Sequence, residues 1–215
     1  MDEPLLIDPV ATRNRIFLAP MSGVTDLPFR RIAQRCGAGM VVTEMVASRE
    51  LVANRQESWT RLKAADFRPH VVQLAGREPE WMPEAAKISE AQGADIIDIN
   101  MGCPAKKVTG GYSGSALMRE PERALAIIEA TVKAVSVPVS LKMRLGWDEK
   151  SLNAGELARA AVSAGIRMIT VHGRTRCQFY EGVADWEAIA ACATRWMFPS
   201  SPMATLHAAR MRKPA

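Results

Sequence analysis

The sequence predicts an α/β protein of the TIM (β/α)8-barrel class, with about six β/α units present. Three observations predict it. Short runs rich in Val, Ile and Leu alternate with amphipathic stretches through the first 190 residues, the rhythm of parallel strands joined by crossover helices. No glycine fingerprint of a dinucleotide-binding sheet accompanies them, which favours a barrel over an open doubly wound sheet. Polar and unusual residues gather where one strand after another ends, and the C-terminal strand ends of a barrel are where its site is built.

The elements follow in chain order. "RIFLAP" (Arg15–Pro20) reads as the first strand. "TDLPFRRIAQRCG" reads as a helix that Thr25 or Asp26 can cap, with Pro28 suited to the first turn and Gly37 to the stop. "GMVVTE" and "PHVVQLAG" are the next two strands, and "EWMPEAAKISEAQG" is a second helix. "ADIIDIN" is the fourth strand. "REPERALAIIEATVKAV" carries apolar residues at helical spacing and leads into the strand "VPVSLKMRLGW". The helix "NAGELARAAVSAG" and the strand "IRMITVHGRT" complete the sixth unit.

Composition limits the function classes. Hydrophobic residues make up 48% and charged residues 24%, an ordinary balance for a soluble globular chain. The opening "MDEPLLIDPV" has no positive start before an apolar run, so no secretory leader is expected. No stretch approaches the ~18 apolar residues of a membrane span. Cys36, Cys103, Cys177 and Cys192 form no CxxC pair, which argues against a zinc site or a disulfide framework and favours a reducing cytoplasm. A net charge of +5 is compatible with a nucleic-acid partner without establishing one.

Six strand ends supply the candidate residues: Pro20-Met21-Ser22, Glu44, Gln73, Asn100 to Cys103, Lys142 with Arg144, and His172 with Arg174. Most free cysteines are small buried hydrophobes. Cys103 differs in following a strand end directly and preceding Pro104, a position suited to an acid or nucleophile. Lys142 can snorkel outward, but side-chain alternation puts it on one face with Arg144, both toward the mouth. There it can neutralise an anionic ring or polarise a carbonyl. His172 by itself reads as a core histidine; its place before Gly173 and two arginines favours a functional role. Gln73 and Asn100 are amides able to read the edge of a heterocycle. "APMSGVTDLPFR" is either a plain βα loop or a mobile turn whose amides contact a ring or an anion. "KKVTGGYSGSALM" reads as a flexible glycine-rich loop in which Lys106 and Lys107 are solvated charges or contacts to a phosphodiester backbone. Tyr112 and Trp147 either pack or stack on bases.

Taken together, "LAPMSGVTDLPFR", "VVQLAG", "DINMGCPAKKV", "SGSALM", "LKMRLGW" and "VHGRTRCQFYEGVADW" resemble the tRNA-dihydrouridine synthases, closest to the bacterial B-type and nitrogen-regulation-locus branch. The resemblance runs from about Ile16 to Ala190. It implies an FMN enzyme that uses NADPH to reduce the C5–C6 bond of selected uridines in tRNA. Carried over, Pro20, Met21 and Ser22 lie beside the isoalloxazine, Gln73 contacts its pyrimidine edge, Lys142 contacts the N1/O2 side, and His172 supports the flavin. Cys103 is the implied proton donor to C5, Asn100 and Arg144 hold the uracil, and Lys106 and Lys107 meet the phosphates. No metal and no membrane is implied. Two other readings stay open: a different FMN-dependent barrel oxidoreductase acting on a small molecule, and a non-catalytic RNA-binding fragment.

After "VADWEAIAA" these motifs stop. The resemblance implies a seventh strand ending in "NGD", an eighth strand with a flavin-phosphate loop, and a helical tRNA-binding domain. Residues 191–215 show no strand pattern and crowd Arg, Pro and Met together. A one-nucleotide shift of codons for "WMFPSSPMAT" permits "DVPVIANGD", with the Asp, Val and Gly forced by the Trp–Met, Met–Phe and Met–Ala overlaps. The expectation is therefore a barrel portion over 1–190 followed by a frameshifted tail, with the helical domain absent. Such a chain, with unpaired sheet edges and an incomplete core, is expected to be unstable or aggregation-prone and to hold flavin weakly.

Overall fold

The computed structural model describes residues 3–64, 66–110, 112–194 and 205–208. An N-terminal hairpin, β1 (Leu6–Ile7) and β2 (Val10–Ala11), precedes β3 (Phe17–Leu18), α1 (Leu27–Arg35), β4 (Met40–Val41) and β5 (Val46–Ala47). Two short helices follow, α2 (Ser48–Val52) and α3 (Gln56–Leu62), before β6 (Val71–Ala75), α4 (Trp81–Ala91) and β7 (Ile96–Met101). Then come α5 (Lys106–Thr109), a 3-10 helix (Gly114–Arg119), α6 (Pro121–Ala134), β8 (Val139–Arg144), α7 (Ala154–Ser163), β9 (Met168–His172), α8 (Trp186–Thr194) and β10 (Thr205–Ala208).

The main sheet runs β5-β6-β7-β8-β9-β10 with every pair parallel, and the β3-β4 pair joins it through a bridge between Val42 and Val71. This is most of a (β/α)8 barrel. The second predicted strand, "GMVVTE", is shorter than expected, ending as β4 at Val41, and β5 is a further strand just beyond it. A strand at 205–208 corrects the expectation that the tail carries none; it pairs Thr205 to Ala208 with Met168 to Val171. The physical reason is that an open sheet edge offers unpaired N–H and C=O groups, and any extended backbone can satisfy them whatever its side chains. The rest of the expected tail, 195–204 and 209–215, lies outside the described residues.

Period-2 alternation divides the strands between two cores. Val72, Leu74, Ile97, Ile99, Met101, Leu141, Met143, Ile169 and Val171 face outward and bury against the helices, among them Ile127 and Ile128 of α6 and Leu157 of α7. Leu5, Ile7, Met40, Val42, Val71, Ile96 and Met168 form a second apolar cluster inside the barrel. The hairpin thus closes the N-terminal end, a role that the sequence reading did not give it. Above this plug the inward positions turn polar in registered layers. Gln73 pairs with Asp98 and Asp98 with Ser140; Asn100 pairs with Lys142 and Lys142 with Thr170; Arg144 pairs with His172.

Two loops expected to be mobile are built more firmly. In α1, Asp26 provides the cap, accepting from the Phe29 N–H at 2.9 Å, while Thr25 Oγ1 accepts from the Met21 N–H and donates to its carbonyl. Glu44 accepts from the Gly23 N–H, so these turn amides are engaged within the fold rather than offered to an anion. The "KKVTGGYSGSALM" segment is a short helix followed by a 3-10 turn, with Ala116, Leu117 and Met118 fully buried. Those three apolar side chains anchor what polar composition alone suggested was free.

Candidate active site

The strand-end residues converge. A cavity of about 590 Å³ at the C-terminal mouth is lined by Pro20, Met21, Ser22, Gln73, Asn100, Cys103, Lys142, Arg144 and His172, together with Met45, Phe179 and Tyr180. Alternation along four strands brings the polar members inward, and the strand register sets them side by side. Of the remaining candidates, Lys106 is exposed on α5 and lines none of the cavity. The Lys107 side chain lies outside the described residues.

Hydrogen bonds thread the floor of this cavity. Ser140 Oγ donates to Asp98 Oδ1 at 2.6 Å, and Gln73 Nε2 donates to Asp98 Oδ2 at 2.7 Å. Asn100 Nδ2 donates to Gln73 Oε1 at 2.7 Å, and Asn100 Oδ1 accepts from the N–H groups of Gly102 at 3.2 Å and Cys103 at 3.0 Å. The Cys103 carbonyl accepts in turn from the Ser115 N–H and hydroxyl, at 3.1 and 2.8 Å. Gly114 makes that closure possible: its φ is +60°, and a Cβ there would lie 2.8 Å from the Cys103 carbonyl oxygen. Cys103 is therefore clamped on both sides of its Cα while its side chain borders the cavity.

Charge at the mouth is one-sided. The Lys142 side chain makes no hydrogen bond or ion pair among the described residues, and it lines the cavity. Burial pushes its pKa down, Asp98 opposes this, and Arg144 adds to it. Burial pushes the Asp98 carboxyl up, against the pull of Ser140, Gln73 and Lys142. Arg144 lines the cavity, yet it is also tied into the protein. The residue is 1% exposed; Nε donates to the Gly102 carbonyl at 2.9 Å, and Nη1 donates to the carbonyls of Thr175 and Phe179, each at 2.8 Å. Most of its donors hold protein loops together rather than pointing free into the mouth. The physical reason is that a buried guanidinium must find acceptors, and these carbonyls lie nearest.

His172 is held by Arg174, whose Nη1 lies 3.0 Å from His172 Nε2. Arginine only donates, so Nε2 accepts and the ring proton sits on Nδ1. Burial, then Arg144, Lys142 and Arg174, lower the His172 pKa to about 3 from 6.5. The unfolded chain consequently binds the extra proton between those values, and folding stability falls as pH drops below about 6.5. Relative to His172→Asn, the wild type should lose about 2–3 kcal/mol by about pH 4, after allowance for solvent screening at the mouth. Parallel urea-unfolding midpoints of the two chains across this range would contradict that assignment.

Sequence reasoning missed Asp98, Ser140 and Tyr180. The first two were legible by alternation, lying two residues before Asn100 and Lys142 and so on the same inward face. Tyr180 comes from the loop after β9 and had no periodic signal; its ring lies 5.6 Å from the Arg144 guanidinium carbon. Trp147 is engaged by two guanidinium groups, Arg119 at 3.9 Å and Arg176 at 4.7 Å, and does not line the cavity. Tyr112 stays half-exposed, with Arg77 at 5.5 Å. Among the described residues no group of His, Cys, Asp and Glu could hold a metal ion, and no helix is long and apolar enough to cross a membrane.

Known proteins bear on this arrangement in two ways. Morphinone reductase shares the fold, with a TM-score of 0.61 at 13% identity over 90% of this chain and 76% of its own; its complex with tetrahydroNAD gives 0.59 at 12% identity, over 96% and 79%. Sequence relatives are nearer. A probable tRNA-dihydrouridine synthase of Rhizobium leguminosarum is 72% identical over 85% of this chain and 57% of its own length. The tRNA-dihydrouridine synthase B of Pseudomonas aeruginosa is 50% identical over 86% and 56%. The chain thus spans little more than half the length of these curated relatives. The dihydrouridine synthase (Dus) profile matches residues 17–199, continuing past Ala190 where the recognised motifs end. With its strand-end residues gathered at one barrel mouth and these relatives matching along most of its length, the chain belongs to the dihydrouridine synthase family.

Proposed function

We propose that this chain carries the catalytic mouth of an FMN-dependent tRNA-dihydrouridine synthase, which reduces the C5–C6 bond of uridines in tRNA with NADPH as reductant. The carrying observation is the cavity itself, where residues from β6, β7, β8 and β9 meet around Cys103. Its volume falls in the range of small-ligand sites. The polar inventory also fits a flavin. Gln73 Oε1 and Asn100 Oδ1 accept bonds within the protein, so the amide protons left over, with the Lys142 ammonium, are donors suited to the carbonyl-rich pyrimidine edge. Bound there, FMN supplies hydride to C6 of the uracil.

The chain's own residues do the rest. Pro20, Met21 and Ser22 form one wall for the ring, and Lys142 offsets negative charge at its N1/O2 side. His172, held neutral, offers Nδ1–H as a donor without adding charge. Asn100 and the exposed ring of Tyr180 border the space for a uracil that must leave the RNA stack to enter. Cys103 delivers the proton to C5. Lys106, exposed outside the cavity, meets the RNA phosphates together with Lys107. A substrate of this kind places the protein in the cytoplasm.

The test is a titration of the purified chain with FMN, followed by dihydrouridine formation on tRNA with NADPH. Lys142→Met should weaken FMN binding about 10–100-fold, the loss of one charge-assisted contact. Equal affinity in the variant would refute this placement of the flavin. Reduction of free uracil in preference to tRNA would favour a small-molecule oxidoreductase. Steeply salt-dependent RNA binding without flavin would favour a non-catalytic RNA-binding role.

A further inference from the structure

We propose that Asp98, a residue buried beneath the cavity, is the positioning residue that sets the amide orientation of Gln73 and Asn100 and so fixes the Cys103 segment and the donor character of the cavity floor. The hydrogen-bond chain has two ends of fixed polarity. At one end the Asp98 oxygen facing Gln73, as carboxylate, accepts, at 2.7 Å from Nε2. At the other, the N–H groups of Gly102 and Cys103 can only donate, both to Asn100 Oδ1. Between them lie two amides, and one arrangement satisfies every link: Gln73 gives its N–H to Asp98 and takes from Asn100, and Asn100 gives to Gln73 and takes from the backbone. Turning either amide sets oxygen against oxygen or N–H against N–H in a buried site, at the cost of unsatisfied polar groups. Asp98 is 3% exposed and Gln73 1%, so water does not readily stand in for a lost partner.

Two features outside the chain agree. The Gln73 N–H is itself fixed by Thr43 Oγ1 at 3.0 Å, so the side chain starts from an anchored backbone. Ser140 donates to the second Asp98 oxygen through a hydroxyl that can equally accept, so this partner imposes no fixed polarity on the side chain at position 98. That asymmetry separates orientation from charge. Asp98→Asn can keep its oxygen toward Gln73 and present its amide N–H to Ser140, which then accepts. Asp98→Ala cannot.

The proposal concerns the flavin-free chain and stands or falls apart from the flavin and tRNA reading. The experiment is residue-resolved amide hydrogen exchange on the full chain without FMN. In Asp98→Ala the Gly102 and Cys103 amides should exchange about tenfold faster than in the wild type, as expected for loss of their shared acceptor's orientation. The ladder amides of Ile97 and Ile99 should stay unchanged. Asp98→Asn and Ser140→Ala should keep both Gly102 and Cys103 within about threefold of the wild type. Gln73→Leu, close in volume, breaks the chain at its second link and should match Asp98→Ala, which preserves the test should Asp98→Ala not fold. The proposal is overturned by wild-type exchange at Gly102 and Cys103 in Gln73→Leu. It is equally overturned where Asp98→Asn behaves as Asp98→Ala, or where the ladder amides accelerate alongside, since both mark a role in core packing alone.

Discussion

Cys103→Ala is expected to slow uridine reduction about 10²–10⁴-fold while leaving FMN affinity within about threefold, the span by which a positioned general acid acts. The reasoning is geometric. Cys103 borders the cavity, yet its backbone bonds run through N–H and C=O to Asn100 and Ser115, so removing the sulfur disturbs neither clamp. The loss should therefore appear in the chemical step and not in binding. Cys103→Ser puts a hydroxyl of similar size but far weaker acidity in place of the thiol and should fall between the two. Single-turnover formation of dihydrouridine, with the flavin reduced beforehand, isolates that step. A rate within threefold of the wild type in Cys103→Ala would place the proton donor elsewhere.

Arg144→Met should cost about 2–4 kcal/mol of folding stability, the largest loss expected from a single cavity residue. Three charge-assisted bonds of about 1.5–3 kcal/mol each are removed, and the carbonyls of Gly102, Thr175 and Phe179 lose their shared donor. Against this, the chain no longer has to desolvate a guanidinium, which returns several kcal/mol. The bonds win because Met fills the stem but donates nothing. Arg144→Lys should recover little, since one ammonium lacks the planar fork that reaches three carbonyls. Urea unfolding measures the loss. The loop carrying Phe179 and Tyr180 should loosen with it, which limited proteolysis near Glu181 reads independently. A variant of wild-type stability would mean that these bonds only balance the burial of the charge.

The two variants illustrate what can be read along the chain and what cannot. The strand–helix rhythm and the inward set of Gln73, Asn100, Lys142 and His172 follow from local periodicity, because side-chain direction in a strand is a property of the backbone itself. The same rule contained Asp98 and Ser140, and pursuing the alternation two residues back would have found them. Arg144 is different. Alternation gives its face correctly, but its hydrogen-bond partners come from residues 31 to 42 positions away and exist only once the loops have folded over β8.

By itself, then, the sequence determined the barrel class, the family, and the strand-borne side chains that enter one mouth, since periodicity and motif spacing are local. The tertiary structure alone decided how those side chains divide their labour. It turned an inward arginine into a tie between loops, folded a glycine-rich stretch against the core through Ala116, Leu117 and Met118, and closed the barrel floor with an N-terminal hairpin. The reason is that a buried polar or apolar group takes whichever partner the packed chain brings within reach, and that reach is set by contacts far apart in sequence.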